Sequence, residues 1–138
     1  MPEDRIGLGV IGCGGFGFFA LQHFVQVPGV ELVGMAGTHR EPAKAAANRF
    51  GVPDIVDVEK LVDQDDVDVV YIATPPFLHY SQSMQALRAG KHVISEKPMA
   101  LSLEQADEMI EAAKSNDVFV VANLMQRYNP VYEAMDCV

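Results

Sequence analysis

The sequence predicts an α/β fold, a doubly wound parallel sheet of about six strands forming a single domain over residues 1–138. Three observations carry that prediction. Short runs rich in Val and Ile alternate along the chain with segments of helical period. Residues Gly9 to Gly17 hold five of the 11 glycines and lead into an apolar, helix-like run. Hydrophobic residues make up 49% of the chain, ample material for one core.

The strands are read in order as Arg5–Ile11, Val30–Ala36, Asp54–Val56, Val67–Ala73, His92–Ser95 and Val118–Leu124. Their near-continuous apolar character is that of strands buried on both faces. The first helix follows the glycine cluster. In the second, Glu41–Gly51, Pro42 suits the first turn, Ala43, Ala46, Ala47 and Phe50 share a face, and Gly51 is the stop. The third, His79–Gly90, sets Tyr80, Met84 and Leu87 on one face and ends at Gly90. The fourth, Leu101–Asn116, opens with the capping-box pair Ser102 and Gln105 and predicts a buried stripe of Leu103, Ala106, Ile110 and Ala113. Strand and helix in strict alternation require parallel strands joined by right-handed crossovers.

Composition excludes several classes of function. The net charge is −9 and no Lys or Arg cluster could neutralise a row of phosphates, so no nucleic-acid partner is expected. Cys13 and Cys137 have no metal spacing and read as reduced thiols. No histidine pair, His23 and His92 included, has ligand spacing, so no metal is expected. The acidic start lacks the pattern of a signal peptide, and no apolar run approaches the ~18 residues of a membrane span. A soluble, cytoplasmic protein without a membrane partner is expected.

Gly12, Gly14 and Gly17 form G-x-G-x-x-G directly after the first strand, with Gly15 and Phe16 inside the motif. Gly12 permits the tight turn, Gly14 the close approach of a pyrophosphate to the backbone, and Gly17 the contact between helix and sheet. The helix N-terminus adds unpaired N–H groups and partial positive charge. The pattern predicts a dinucleotide site. An acidic residue for the adenosine ribose is expected at the end of the second strand, but Thr38, His39 and Arg40 stand there. Donors and a cation suit a 2′-phosphate, which favours NADP over NAD.

Two further loops follow central strands: Ala73–His79 (ATPPFLH) and Ser95–Pro98 (SEKP). Both lie where open α/β sheets bind ligands. With the glycine motif and Arg127–Pro130 (RYNP), they make the chain resemble the N-terminal half of the Gfo/Idh/MocA oxidoreductases over nearly all its length. The resemblance implies that Lys97 polarises the substrate oxygen as the catalytic residue. It implies that Glu96 fixes the nicotinamide end and that Pro98 shapes the turn through a cis Lys97–Pro98 bond. Thr74, Pro75 and His79 match the loop lining the cofactor, and Arg127 the segment running toward nicotinamide and substrate.

The implied activity is hydride transfer between NAD(P) and a sugar, polyol or related small molecule. Members of the family carry a second α/β domain that completes the substrate pocket and usually supplies the oligomer interface. No such domain is expected within these 138 residues, so the chain alone is expected not to turn over substrate, and homo-oligomerisation is expected only of a full-length form. The alternative is a stand-alone dinucleotide sensor or regulatory module without catalysis.

Overall fold

The computed structural model describes residues 5–37, 40–55 and 57–131. Its elements are β1 (Ile6–Ile11), α1 (Gly15–Phe24), β2 (Val30–Ala36), α2 (Arg40–Phe50), β3 (Asp54–Ile55), α3 (Val58–Val62), β4 (Val69–Ile72), α4 (Pro76–Arg88), β5 (His92–Glu96), α5 (Leu103–Ser115) and β6 (Val120–Asn123). A 3-10 turn, Met125–Tyr128, follows β6. The six strands form one sheet in the order β3-β2-β1-β4-β5-β6, all neighbours parallel. The order reverses between β1 and β4, which makes their carboxyl ends the switch point where such sheets bind ligands.

Alternation along the strands divides the core between the two faces. Val70 and Ile72 of β4 join Ile11, Val93, Leu61, Leu87 and Met109 beneath α3, α4 and α5. Tyr71, between them, points the other way and packs with Val10, Leu21, Met35, Ala43 and Ala47 under α1 and α2. A register shift between Leu8 and Gly9 leaves Val33 of β2 as an extra residue. That bulge reverses the phase of β2, so Leu32 and Met35 both reach the α1/α2 face.

The helix signals act as expected at α2, where Ala43, Ala46 and Ala47 are buried and Gly51 takes φ +70°. Gly90 closes α4 in the same left-handed conformation, φ +74°. Helix α4 begins at Pro76, earlier than the periodicity indicates, because proline is preorganised for a first turn. At α5 the Gln105 N–H donates to Ser102 Oγ at 3.2 Å, while Gln105 Oε1 accepts from the N–H of Leu101 at 3.0 Å. The predicted stripe of α5 needs correction. Leu103 and Ile110 are 81% and 40% exposed, whereas Ala113 is buried as expected, Ala106 is half-buried, and Met109 is buried in place of the two exposed positions. Met109 and Ile110 each fit a helical period with Ala113; the sheet's position selects Met109. The single-turn α3 escapes a periodicity reading because five residues do not repeat a face.

Candidate functional site

The glycine motif divides into positions that the protein fills and positions that it leaves open. Gly12 has φ +99°, and a Cβ there would lie 2.7 Å from the carbonyl carbon and oxygen of Ala73. A Cβ on Gly17 would lie 2.2 Å from the Gly12 carbonyl oxygen and 3.1 Å from the Ala73 Cβ. These two glycines let β1 turn sharply against β4 and let α1 sit on that turn. At Gly14 and Gly15 an added Cβ would meet nothing within 4 Å.

The open space beside them is a cavity of about 300 Å³ lined by the turn, by Gly37 after β2, and by Ala73, Thr74 and Pro75 after β4. Helix α1 opens onto it with neither a side-chain cap nor an acidic residue in its first turn. Its free N–H groups and partial positive charge are thus left for an anion. A cradle of bare backbone at a helix N-terminus fits the diphosphate of a dinucleotide.

Phe16 borders this cavity and also a second one of about 450 Å³, lined further by Glu96, Lys97, Asn123, Leu124, Met125 and Gln126. Lys97 is exposed at the end of β5, and the Lys97–Pro98 bond is cis. Glu96 is 7% exposed. Its Oε1 accepts from the Tyr71 hydroxyl at 2.8 Å and from Asn123 Nδ2 at 2.6 Å. Its Oε2 has no hydrogen-bond partner among the described residues. The ends of β4, β5 and β6 thereby converge on one carboxylate beside the lysine. Burial, then the hydrogen bond to Glu96 and its negative charge, push the Tyr71 phenol well above the ordinary tyrosine range. It stays a neutral donor.

Thr74 and Pro75 line the first cavity, with the Thr74 hydroxyl donating to Gln82 Oε1 at 2.5 Å. His79, expected on the cofactor loop, lines neither of these two cavities. Its ring is 1% exposed, and both nitrogens are taken by backbone carbonyls, those of Pro98 and Thr74. Arg127 is exposed on the 3-10 turn and lines neither of these two cavities. Thr38, His39 and the Arg40 side chain, which carry the expected NADP preference, lie outside the described residues, as do Val56 and Cys137. Sequence reasoning does not single out Tyr71, Gln82 or Asn123; only Asn123, at a strand's carboxyl end, has a positional signal. Among the described residues no cluster of three His, Cys, Asp or Glu could hold a metal, and no helix is long and apolar enough to cross a membrane.

Residues 6–124 match the family model described as the Gfo/Idh/MocA oxidoreductase family, NAD-binding Rossmann fold. The chain belongs to the Gfo/Idh/MocA family. It is 40% identical over 112 residues to a 1,5-anhydro-D-fructose reductase of Ensifer adhaerens, covering 80% of this chain and 34% of that protein. With an inositol 2-dehydrogenase of Rubrobacter xylanophilus it shares 34% identity over 136 residues, 96% of this chain and 39% of the relative. A crystallised 3-ketoreductase from Actinomadura kijaniata in complex with NADP superposes with a TM-score of 0.89 at 32% identity, over 95% of this chain and 42% of that one. This Gfo/Idh/MocA chain therefore spans well under half the length of these relatives.

Proposed function

We propose that this chain is the nucleotide-binding part of an oxidoreductase that prefers NADP and moves a hydride between the nicotinamide and a carbon bearing the hydroxyl or carbonyl of a sugar or polyol. One observation carries the reading: the glycine cradle and the Glu96–Lys97 pair line two cavities that meet at Phe16. The first can seat a diphosphate, and the second sets an ammonium and a buried carboxylate beside whatever extends from it. The sugar-related names of the relatives and the NADP in the crystallised 3-ketoreductase support the substrate class and the cofactor.

In this reading Gly14 and Gly15 admit the diphosphate to the N-terminus of α1, and Arg40 with Thr38 and His39 holds the 2′-phosphate. The nicotinamide supplies the hydride acceptor or donor when bound. Lys97 holds the substrate oxygen and stabilises the negative charge it gains during transfer. Glu96, its Oε1 held by Tyr71 and Asn123, offers Oε2 as a fixed acceptor for an amide or hydroxyl donor of the ligand.

The test is a fluorescence titration of the chain with NADPH and NADH. NADPH is expected to bind more tightly, and Arg40→Ala to narrow the gap. Equal or tighter NADH binding refutes the preference, and no saturable binding of either refutes the nucleotide site. In an assay of sugar or polyol oxidation by the full-length enzyme, Lys97→Ala is expected to abolish turnover while NADPH affinity stays within about threefold, since an ammonium acting on developing charge contributes little to cofactor binding.

A further inference from the structure

We propose that Gln82 is a specificity-determining residue that reads the base at the adenosine end of the dinucleotide, selecting a ring that pairs an accepting nitrogen with an exocyclic amine. This specificity rests on the nucleotide site of the proposed function. Gln82 of α4 is 6% exposed. Its Oε1 accepts from the Thr74 hydroxyl at 2.5 Å, which fixes the roll of the amide and turns Nε2 away from that contact. Nε2 has no hydrogen-bond partner among the described residues. Among those residues Ser83 Oγ is the one unpartnered side-chain polar atom sealed from solvent, so the Gln82 amide donors are not sealed. They open onto a third cavity, of about 270 Å³, that Gln82 lines. A side chain more than nine-tenths buried thus uses its acceptor inside the protein and keeps two donors for a group that enters the cavity.

Gly37 lines both the glycine cavity and this third one. It also precedes Thr38, His39 and Arg40, which hold the 2′-phosphate in the proposed function. Base and 2′-phosphate are substituents of one ribose, so a ribose seated beside Gly37 can direct its base into the neighbouring cavity. That cavity is bordered by the exposed residues Asp57 and Glu59. Asp57 Oδ2 pairs with Lys60 Nζ at 3.2 Å and Glu59 Oε1 accepts from Gln85 Nε2 at 3.2 Å, leaving the second oxygen of each carboxylate without a partner among the described residues. Amide donors and carboxylate acceptors in one cavity match adenine, whose accepting ring nitrogens flank a 6-amino donor. A free Gln reads adenine with both ends of its amide. Here the oxygen is committed to Thr74, and the carboxylates take its part. A 6-oxo purine inverts that edge: its oxygen faces the carboxylates and its N1–H faces the amide donors, so like groups oppose one another.

The full chain is titrated by fluorescence with NADPH and with its 6-oxo analogue, reduced nicotinamide hypoxanthine dinucleotide phosphate. NADPH is expected to bind roughly tenfold more tightly, the discrimination of one good paired contact to a base edge. In Gln82→Met, which keeps the length of the side chain and removes its donors, the ratio is expected to fall to within about threefold. A Gln82 with a merely structural role would weaken both ligands alike and leave the ratio unchanged in that variant, which overturns the proposal, as does equal binding of the two ligands by the unaltered chain. A second measurement needs no variant. In the nitrogen-15-labelled chain the Gln82 side-chain amide signals are expected to shift on saturation with NADPH and to shift less with the 6-oxo analogue; signals that NADPH leaves unmoved overturn the proposal too. Saturable NADPH binding with any of these negative results removes the base reading alone, whereas no saturable binding of either ligand refutes the proposed nucleotide site and the base reading with it.

Discussion

Substituting two glycines of one motif separates folding from binding. Gly17→Ala places a Cβ 2.2 Å from the Gly12 carbonyl oxygen and 3.1 Å from the Ala73 Cβ, and neither neighbour is the movable end of a long side chain. Ordinary contact requires about 1 Å more, so α1 must lift from the turn. Overpacking of this kind costs about 1–3 kcal/mol. The better helix propensity of Ala over Gly returns at most about 1 kcal/mol. A contact of 2.2 Å with a backbone atom belongs at the upper end of that range, which leaves about 2 kcal/mol and a melting temperature lower by roughly 4–8 °C for a domain of this size. Gly14→Val behaves in the opposite way. Its Cβ meets nothing within 4 Å, the backbone at φ −69° accepts any L-residue, and the change of N-cap costs under about 1 kcal/mol. The valine methyls, however, project where the diphosphate must approach the backbone, and NADPH affinity is expected to fall at least ~100-fold, or about 2.7 kcal/mol. Differential scanning fluorimetry without ligand and NADPH fluorescence titration read the two effects separately. A Gly14→Val variant that melts like wild type and binds NADPH within about threefold of it would show that this turn is not the phosphate site. A Gly17→Ala variant with unchanged melting would refute the packing argument.

Burial and Glu96 hold the Tyr71 phenol above its ordinary range, so the unfolded chain releases that proton near pH ~10 while the folded chain retains it. Stability contributed by this group is therefore complete below that pH and declines as pH rises through it; urea unfolding should show the decline, and Tyr71→Phe should lessen it. At neutral pH the same substitution removes one of two donors to a buried carboxylate and is expected to cost about 1–3 kcal/mol. On α5, Met109→Ala is expected to cost about 2–5 kcal/mol, whereas Leu103→Gln, at a position 81% exposed, should change stability by no more than ~0.5 kcal/mol. Similar losses for the two would contradict the observed seating of that helix.

What can be read from the chain alone is whatever depends on neighbours in sequence. Val- and Ile-rich runs report the strands, Gly51 and Gly90 report helix ends, and the spacing of Gly12, Gly14 and Gly17 reports a turn whose three roles are visible as two crowded positions and one open one. The strands and helix ends are decided within about one strand or one helical turn, where local sterics suffice, whereas the crowding at Gly12 and Gly17 also needs Ala73, brought against the turn from the end of β4. Tertiary structure decided matters in which two equally good local solutions compete or in which partners come from distant strands. Leu103 and Ile110 satisfy the helical period of α5 with Ala113 as well as Met109 does, and the position of the sheet chose Met109. Glu96 receives its donors from β4 and β6, 25 and 27 residues away along the chain. His79, which sequence places on a cofactor loop, is buried with its ring nitrogens against the Pro98 and Thr74 carbonyls, 19 and 5 residues away along the chain. Hydrogen-bond satisfaction in a buried site is a property of the assembled neighbourhood, and no pattern along a single strand or helix encodes it.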